Sequence, residues 1–261
     1  MMIDDYALIA DLYDHVTLYR TRPDVAFFVA AAVASGGPVL ELGCGTGRVL
    51  VPTAQAGIDI TGIDLSAGML AVCRQRLEQE PPAVRSHVQL LQGDMRNFEL
   101  RRRFPVVTLP FRPFQHLLGV DEQLACLGAI HRHLRDDGEL ILDVFNPSLE
   151  ALVQDNLGQE VSEGSEFVTP DGRRVSRFFK IVARDRFRQV NQIELIYQVT
   201  HADGRTERLV HPFAMRYFFR YELEHLLARA GFRVEHVYAD YDQSPLGTKD
   251  PGELIMVARK S

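Results

Sequence analysis

The stretch Val39-Leu40-Glu41-Leu42-Gly43-Cys44-Gly45-Thr46-Gly47-Arg48 constrains this chain more than any other. A short apolar run enters a turn with glycine at alternate positions, and a helix start follows. Such glycines let the backbone turn tightly and bring a ligand close to the main chain. The exposed N–H groups of the following helix add a partial positive end. A chain carrying this element reads as an α/β domain with a nucleotide-type cofactor at the glycine turn.

The remaining bounds are consistent with that. A chain of 261 residues suits one large α/β domain with an insertion, or a core plus a small subdomain. A net charge of −6 argues against nucleic acid as a partner. Arg101-Arg102-Arg103 and Arg173-Arg174 read as solvated turns. Cys44, Cys73 and Cys126 are odd in number and far apart, so neither a disulfide framework nor a metal-ligand spacing is expected. The N-terminus lacks signal-peptide character, and no apolar run approaches the roughly 20 residues that span a bilayer. A cytoplasmic protein away from membranes is expected.

Apolar spacing at Ile3, Ala7, Leu8, Leu12 and Val16 predicts a helix over 3–18. Tyr6 and Tyr13 fall on similar sides of it, either as core anchors or on a lid with a phenol reaching the cofactor. A second helix is predicted from Pro23 to about 34, with Val25, Phe28, Val29 and Val33 inward. Strands and helices then alternate. Strands are expected near 38–43, 58–63, 87–91, 104–109 and 139–145, with helices near 47–56, from Ser66 to about 79, and from Asp121. That pattern implies a mostly parallel, doubly wound sheet with its ligands outside the carboxyl ends of the strands. Those ends carry the glycine turn, Asp64, Asp94, the 110–116 loop and 143–146.

After about residue 155 the pattern changes to hairpins. Asp171-Gly172 and Asp203-Gly204 are two-residue turn signals, and Ile193, Leu195, Tyr197 and Val199 alternate with polar residues. About four antiparallel strands are predicted over 158–216, covering the site, forming a homodimer interface, or both. A helix near 219–230 and two strands, 232–238 and 254–258, return to the main sheet. The chain divides on this reading into 1–157, 158–216 and 217–261.

The glycine spacing is one residue shorter than a dinucleotide fingerprint, and acids stand at Glu41, Asp64 and Asp94. Glu41-Leu42-Gly43-Cys44-Gly45-Thr46-Gly47, then Gly62-Ile63-Asp64-Leu65-Ser66 with Met69-Leu70, then Gly93-Asp94-Met95 resemble successive motifs of class I S-adenosylmethionine-dependent methyltransferases. The resemblance covers roughly 38–147 and extends more loosely to the end. It implies a Rossmann-like methyltransferase fold with a seven-stranded, mostly parallel sheet and an antiparallel β insertion between strand five and the last helix. It also implies roles. Gly43, Gly45 and Gly47 would wrap the methionine part of S-adenosylmethionine, and Glu41 would sit near its ammonium. Asp64 would bind the ribose hydroxyls and Leu65 would pack on adenine. Asp94 and the Met95 backbone would read the adenine edge, and Pro110 with Phe111 would lie beside the sulfonium.

Methyl transfer from a sulfonium is an in-line displacement, so the protein mainly aligns a nucleophile and excludes water. His116 is the first catalytic candidate, as a base or orienting group, or else a histidine bonded to backbone at a helix start. Asp143 and Tyr13 are further catalytic candidates. Arg112, Phe111, Asn146, Arg216 and Tyr217 are candidates for substrate binding; Arg112 could instead face solvent. His131 and His133 read as structural. Pro110-Phe111-Arg112-Pro113 lacks the Asn and Tyr of the branch that methylates DNA adenine or protein amides. The insertion resembles that of small-molecule methyltransferases, which implies a small-molecule acceptor, with nitrogen ahead of oxygen or carbon. The alternatives are an NAD-dependent oxidoreductase and a non-catalytic cofactor-binding partner of a methyltransferase complex.

Overall fold

The computed structural model describes residues 5–261. The predicted helix over 3–18 is replaced by three short pieces; Ile3 lies outside the described residues. A 3-10 turn at Asp5–Leu8 is followed by α1 (Ala10–Tyr13) and α2 (Thr17–Arg20). Ile9 (φ −119°, ψ 3°) and Val16 (φ −62°, ψ 118°) leave helical geometry between them. Breaking the helix there lets Ile9, Leu12 and Val16 all bury against Val175, Leu195, Tyr197 and Val199 of the insertion. Tertiary burial outweighs local periodicity here.

The alternating core follows as α3 (Asp24–Ser35), β1 (Val39–Leu42), α4 (Leu50–Gln55), β2 (Ile60–Asp64), α5 (Ala67–Glu78), α6 (Pro82–Arg85), β3 (Val88–Gln92), β4 (Phe104–Leu109), α7 (Val120–His133) and β5 (Leu134–Phe145). Phe28 is buried as predicted, but Val33, also predicted inward on α3, is exposed, and Phe27 and Ala32 are buried instead. Ser66 caps α5 as expected, its hydroxyl accepting from Met69 N–H at 3.0 Å. Glu122 reaches back from the first turn of α7 to accept from Gly119 N–H at 3.0 Å.

After α8 (Leu149–Val153) come β6 (Val161–Ser162), β7 (Phe167–Val168), β8 (Arg174–Asp185), β9 (Val190–Thr200) and β10 (Thr206–Arg216). They pair in the order β10-β9-β8-β6, with β7 also on β8, all antiparallel. The chain ends with α9 (Arg220–Arg229), β11 (Phe232–Tyr238) and β12 (Glu253–Lys260).

The main sheet has seven strands in the order β11-β12-β5-β4-β1-β2-β3. β1 to β5 run parallel, and β12 is antiparallel to β5 and β11. Leu127, Ile130, Leu223 and Leu227 of α7 and α9 bury one set of strand residues. Leu50, Val51, Leu70 and Cys73 of α4 and α5 bury another. Helices on both faces explain why β1 is buried at every position rather than at alternate ones, Glu41 included. No helix among the described residues is long and apolar enough to cross a membrane.

Candidate active site

A cavity of about 760 Å³ opens at the carboxyl ends of β1 to β4 and is roofed by the N-terminal turn and β10. That size fits a small-molecule site. Glu41, Gly43, Gly45, Asp64, Leu65, Asp94, Met95 and Pro110 all line it. Gly47 is the exception among the predicted cofactor residues. It turns the chain away (φ +80°), and a Cβ there would lie 2.6 Å from Cys73 Sγ, so it seats the loop on α5.

The glycine turn is held from within. Gly43 adopts φ +70°, and a Cβ on it would lie 2.5 Å from Pro113 Cβ, so glycine lets the turn touch the loop after β4. Asp64 accepts from Gly45 N–H at 2.7 Å and Ser66 N–H at 2.8 Å, which fixes its carboxylate at the cavity edge. Glu41 is buried in β1, and its Oε2 has no hydrogen-bond partner among the described residues. Burial pushes its carboxyl up to about 8; Arg48 opposes the shift, and Asp64 adds to it. A buried carboxylate oxygen without a donor is costly unless a cationic ligand meets it. Asp94 is gripped by Arg96, with Arg96 Nη2 at 2.6 Å and Nε at 2.9 Å from Oδ2, which holds the carboxyl below the usual range. Arg96 also donates to Glu122 at 2.5 Å.

The N-terminal turn closes down on this floor. Gly68 at the start of α5 is where it lands, since a Cβ there would lie 2.6 Å from Ala7 Cα. Asp14 latches the segment by accepting from Thr46 Oγ1 at 2.6 Å and pairing with Arg76 at 3.0 Å. Tyr6 and Tyr13 therefore both line the cavity, with ring centroids 6.4 Å apart.

His116 ends a 3-10 turn at Pro113–His116 and also lines the cavity. Its Nε2 lies 3.1 Å from the Tyr6 hydroxyl. Burial, helped by nearby His211, pushes its pKa down to about 4, so the imidazole is neutral at neutral pH. Gln115 anchors the turn, donating to the Arg216 carbonyl at 2.6 Å and accepting from Phe145 N–H at 2.6 Å. Phe213 of β10 completes this corner, 5.6 Å from the His116 ring and 5.2 Å from that of His211.

Phe111 lines the cavity, and both it and Arg112 adopt left-handed conformations, with φ of +65° and +73°. Each costs about 1–2 kcal/mol for a non-glycine residue. Asp143, predicted catalytic, does not line the cavity. It is wholly buried, accepting from Phe111 N–H at 2.6 Å, more distantly from Arg112 N–H at 3.4 Å, and from the Tyr241 hydroxyl at 2.6 Å.

Four predicted substrate residues also lie outside the cavity lining, each because a stronger partner claims it. Arg112 pairs with Glu253 at 2.9 Å rather than facing an acceptor. Asn146 donates to the Pro251 carbonyl. Arg216 pairs with Glu222 at 2.8 Å and donates to the Leu118 carbonyl at 3.1 Å. Tyr217 is buried with its ring edge-on to Phe219. His133 is structural as predicted, bonding Ala129 O at 2.7 Å and accepting from Leu100 N–H at 2.8 Å.

Arg48, Thr46, Arg96 and Phe213 line the cavity without having been singled out as site residues. Thr46 lies within a recognised motif and Arg48 and Arg96 adjoin one, so position was an available signal. Phe213 carried none, because only the folding back of β10 brings it there. No group of three or more His, Cys, Asp or Glu side chains able to hold a metal occurs among the described residues.

The profile described as a methyltransferase domain matches residues 39–138. The chain is 30% identical over 256 residues to the dTDP-3-amino-3,6-dideoxy-alpha-D-glucopyranose N,N-dimethyltransferase of Streptomyces fradiae, covering 94% of this chain and 91% of that one. Among solved structures it resembles the methyltransferase CcbJ from Streptomyces caelestis, with TM-score 0.78 and 25% identity over 99% of this chain and 98% of that one. It also resembles an amino pentose methyltransferase from Micromonospora echinaspora, solved with S-adenosylmethionine bound, with TM-score 0.69 and 25% identity over 96% of this chain and 97% of that one. These likenesses give the oxidoreductase and partner-subunit readings no support. The orphaned Glu41 oxygen and the glycine cradle fit S-adenosylmethionine, and the chain belongs to the class I S-adenosylmethionine-dependent methyltransferases.

Proposed function

We propose that this enzyme methylates the amino nitrogen of an amino sugar or a similarly sized polar amine. When bound, S-adenosylmethionine supplies a methyl group already activated on a sulfonium. The residues that would hold it are those lining the floor of the cavity. Gly43 and Gly45 would cradle the methionine part, and Glu41 would meet its ammonium. Asp64 would accept from the ribose hydroxyls, Leu65 would cover adenine, Asp94 with the Met95 backbone would read the adenine edge, and Pro110 would flank the sulfonium. Gly47 supports the turn from behind.

The observation that carries the choice of nitrogen is the buried, neutral His116 bonded to Tyr6 at the cavity wall. An amine attacks only as the free base, so one proton must leave before or during transfer. An imidazole pushed down to about 4 is too weak a base to draw a proton from a hydroxyl, so it suits an amine that sheds its proton to water, and the Tyr6–His116 pair orients the free base by hydrogen bonding. Tyr13 and Phe111 would shape the apolar wall on the acceptor side. The amine-directed relatives from Streptomyces and Micromonospora support the same reading.

The test offers the enzyme dTDP-linked 3-amino-3,6-dideoxyglucose, its 3-hydroxy counterpart and a catechol, with products read by mass spectrometry. Methylation of the amino sugar alone is expected. Transfer to the hydroxyl compounds and none to the amine overturns the reading.

Two further points belong to this proposal. Phe178 of β8 and Val210 of β10, both half-buried, flank Ile196 of β9 on one face of the insertion sheet, an apolar row that supports two copies associating through the insertion; light scattering checks it. All three cysteines are unbridged, which supports a reducing, cytoplasmic setting.

A further inference from the structure

Beneath the loop after β4 lies a buried ionic network drawn from distant parts of the chain. Arg22 pairs with Glu253 at 2.8 Å, Asp24 at 3.4 Å and Asp143 at 3.5 Å. Arg48 pairs with Asp24 at 2.5 Å, and Arg112 with Glu253 at 2.9 Å. Three cations thus meet three carboxylates, and the cluster is neutral. Tyr241 threads it, accepting from Arg22 at 2.7 Å and donating to Asp143 at 2.6 Å.

The network converges on Phe111. The guanidinium of Arg22 lies 5.1 Å, and that of Arg48 4.8 Å, from the centroid of its ring. Tyr19 and Tyr13 meet the same ring edge-on at 4.7 Å and 6.3 Å. Its backbone is held with equal care. One Asp143 oxygen accepts from the N–H groups of Phe111 and Arg112, two successive residues in the left-handed region. Neither is glycine, so the conformation needs an outside anchor.

We propose that Asp143 is a positioning residue whose buried carboxylate clamps the left-handed Phe111-Arg112 pair, and that the Phe111 ring so presented is the wall that sets where the acceptor sits. This deepens the methyltransferase reading and rests on it. A carboxylate suits the task because all its neighbours are donors: two amide N–H groups, a phenol and a guanidinium. An amide in its place sets an NH2 group among them.

The test separates clamp from fold. Asp143→Asn raises the KM for the amino sugar about tenfold or more, while affinity for S-adenosylhomocysteine by calorimetry stays within about threefold. Adding Arg112→Gly to Asp143→Asn returns KM most of the way, because glycine reaches the left-handed region unaided. Equal losses of KM and of S-adenosylhomocysteine affinity, or no recovery with glycine, overturn the proposal. Where Asp143→Asn does not fold, Phe111→Ala must show the same split, and an unchanged acceptor KM there overturns it. The chain has no tryptophan, so Phe111→Trp puts a single tryptophan at the wall, excited selectively beyond the tyrosine band. Its emission with S-adenosylhomocysteine bound shifts when Asp143→Asn is added, and an identical spectrum counts against the clamp. That readout stands even if the amino sugar is never methylated, so the clamp and the amine assignment fail separately.

Discussion

The floor and the acceptor wall of one cavity are built in different ways. On the floor, Asp64 accepts from backbone groups 2 and 19 residues away, and Arg96 grips an aspartate 2 residues before it. On the wall, Asp143 and Phe111 meet across 32 residues, and Tyr6 and His116 across 110. The floor uses main-chain turns that only a few residue types allow. The wall uses side chains that any of several folded-back segments could supply. One half is therefore written as motifs, and the other emerges only from assembly.

Substitutions test that contrast, since floor variants act on cofactor affinity and wall variants on acceptor KM or turnover. The largest effect is expected at Asp64. Asp64→Ala removes a charge that organises the glycine turn and lowers S-adenosylhomocysteine affinity by about 100-fold or more, near 3 kcal/mol. Calorimetry showing unchanged affinity removes Asp64 from the floor. Next comes the wall: His116→Ala lowers kcat by about 100-fold with cofactor affinity within about threefold. A matching drop in affinity places His116 in the cofactor half instead.

Glu41→Gln is expected to weaken S-adenosylhomocysteine binding about tenfold, and its pH signature is sharper than its size. The folded pKa of Glu41, about 8, lies above its ordinary value of 4.5. In the unliganded enzyme its contribution to stability is fully present below the ordinary value and is lost as pH rises through the folded one. An ammonium beside it reverses the preference. Binding then releases a proton below about pH 8, and affinity rises toward that pH. Calorimetry at pH 7 in buffers of different ionisation enthalpy shows the release, and Glu41→Gln abolishes it. No proton release from the parent enzyme contradicts the ammonium assignment. The smallest effect is at Tyr6. Tyr6→Phe keeps the ring and loses one hydrogen bond, lowering kcat by about three- to tenfold. A loss as large as that of His116→Ala makes the phenol the principal orienting group.

The main sheet was legible because its signals are local and repeated. Short apolar strands alternate with helices, and glycine or aspartate stands at the strand ends. The turns at Asp171-Gly172 and Asp203-Gly204 marked two hairpins of the insertion for the same reason. The N-terminal segment misled because its apolar spacing suits one helix, whereas Ile9, Leu12 and Val16 gain more by bending onto the insertion sheet. Arg112, Asn146, Arg216 and Asp143 occupy segments rightly placed near the cavity. Their side chains turn elsewhere because Glu253, Pro251, Glu222 and the Phe111 backbone bind them first.

From residue order alone came the sheet class, the cofactor and its floor, since glycine at left-handed turns and acids at strand ends are requirements of the backbone itself. Tertiary structure alone decided the facing wall of the cavity. It paired Tyr6 with His116, brought Phe213 over the cavity, and turned Asp143 away from the cavity onto the Phe111 backbone. The physical reason is one of range. A side chain's partner is set by whichever distant donor, acceptor or ring reaches it when the chain closes, and no spacing within a motif encodes that choice.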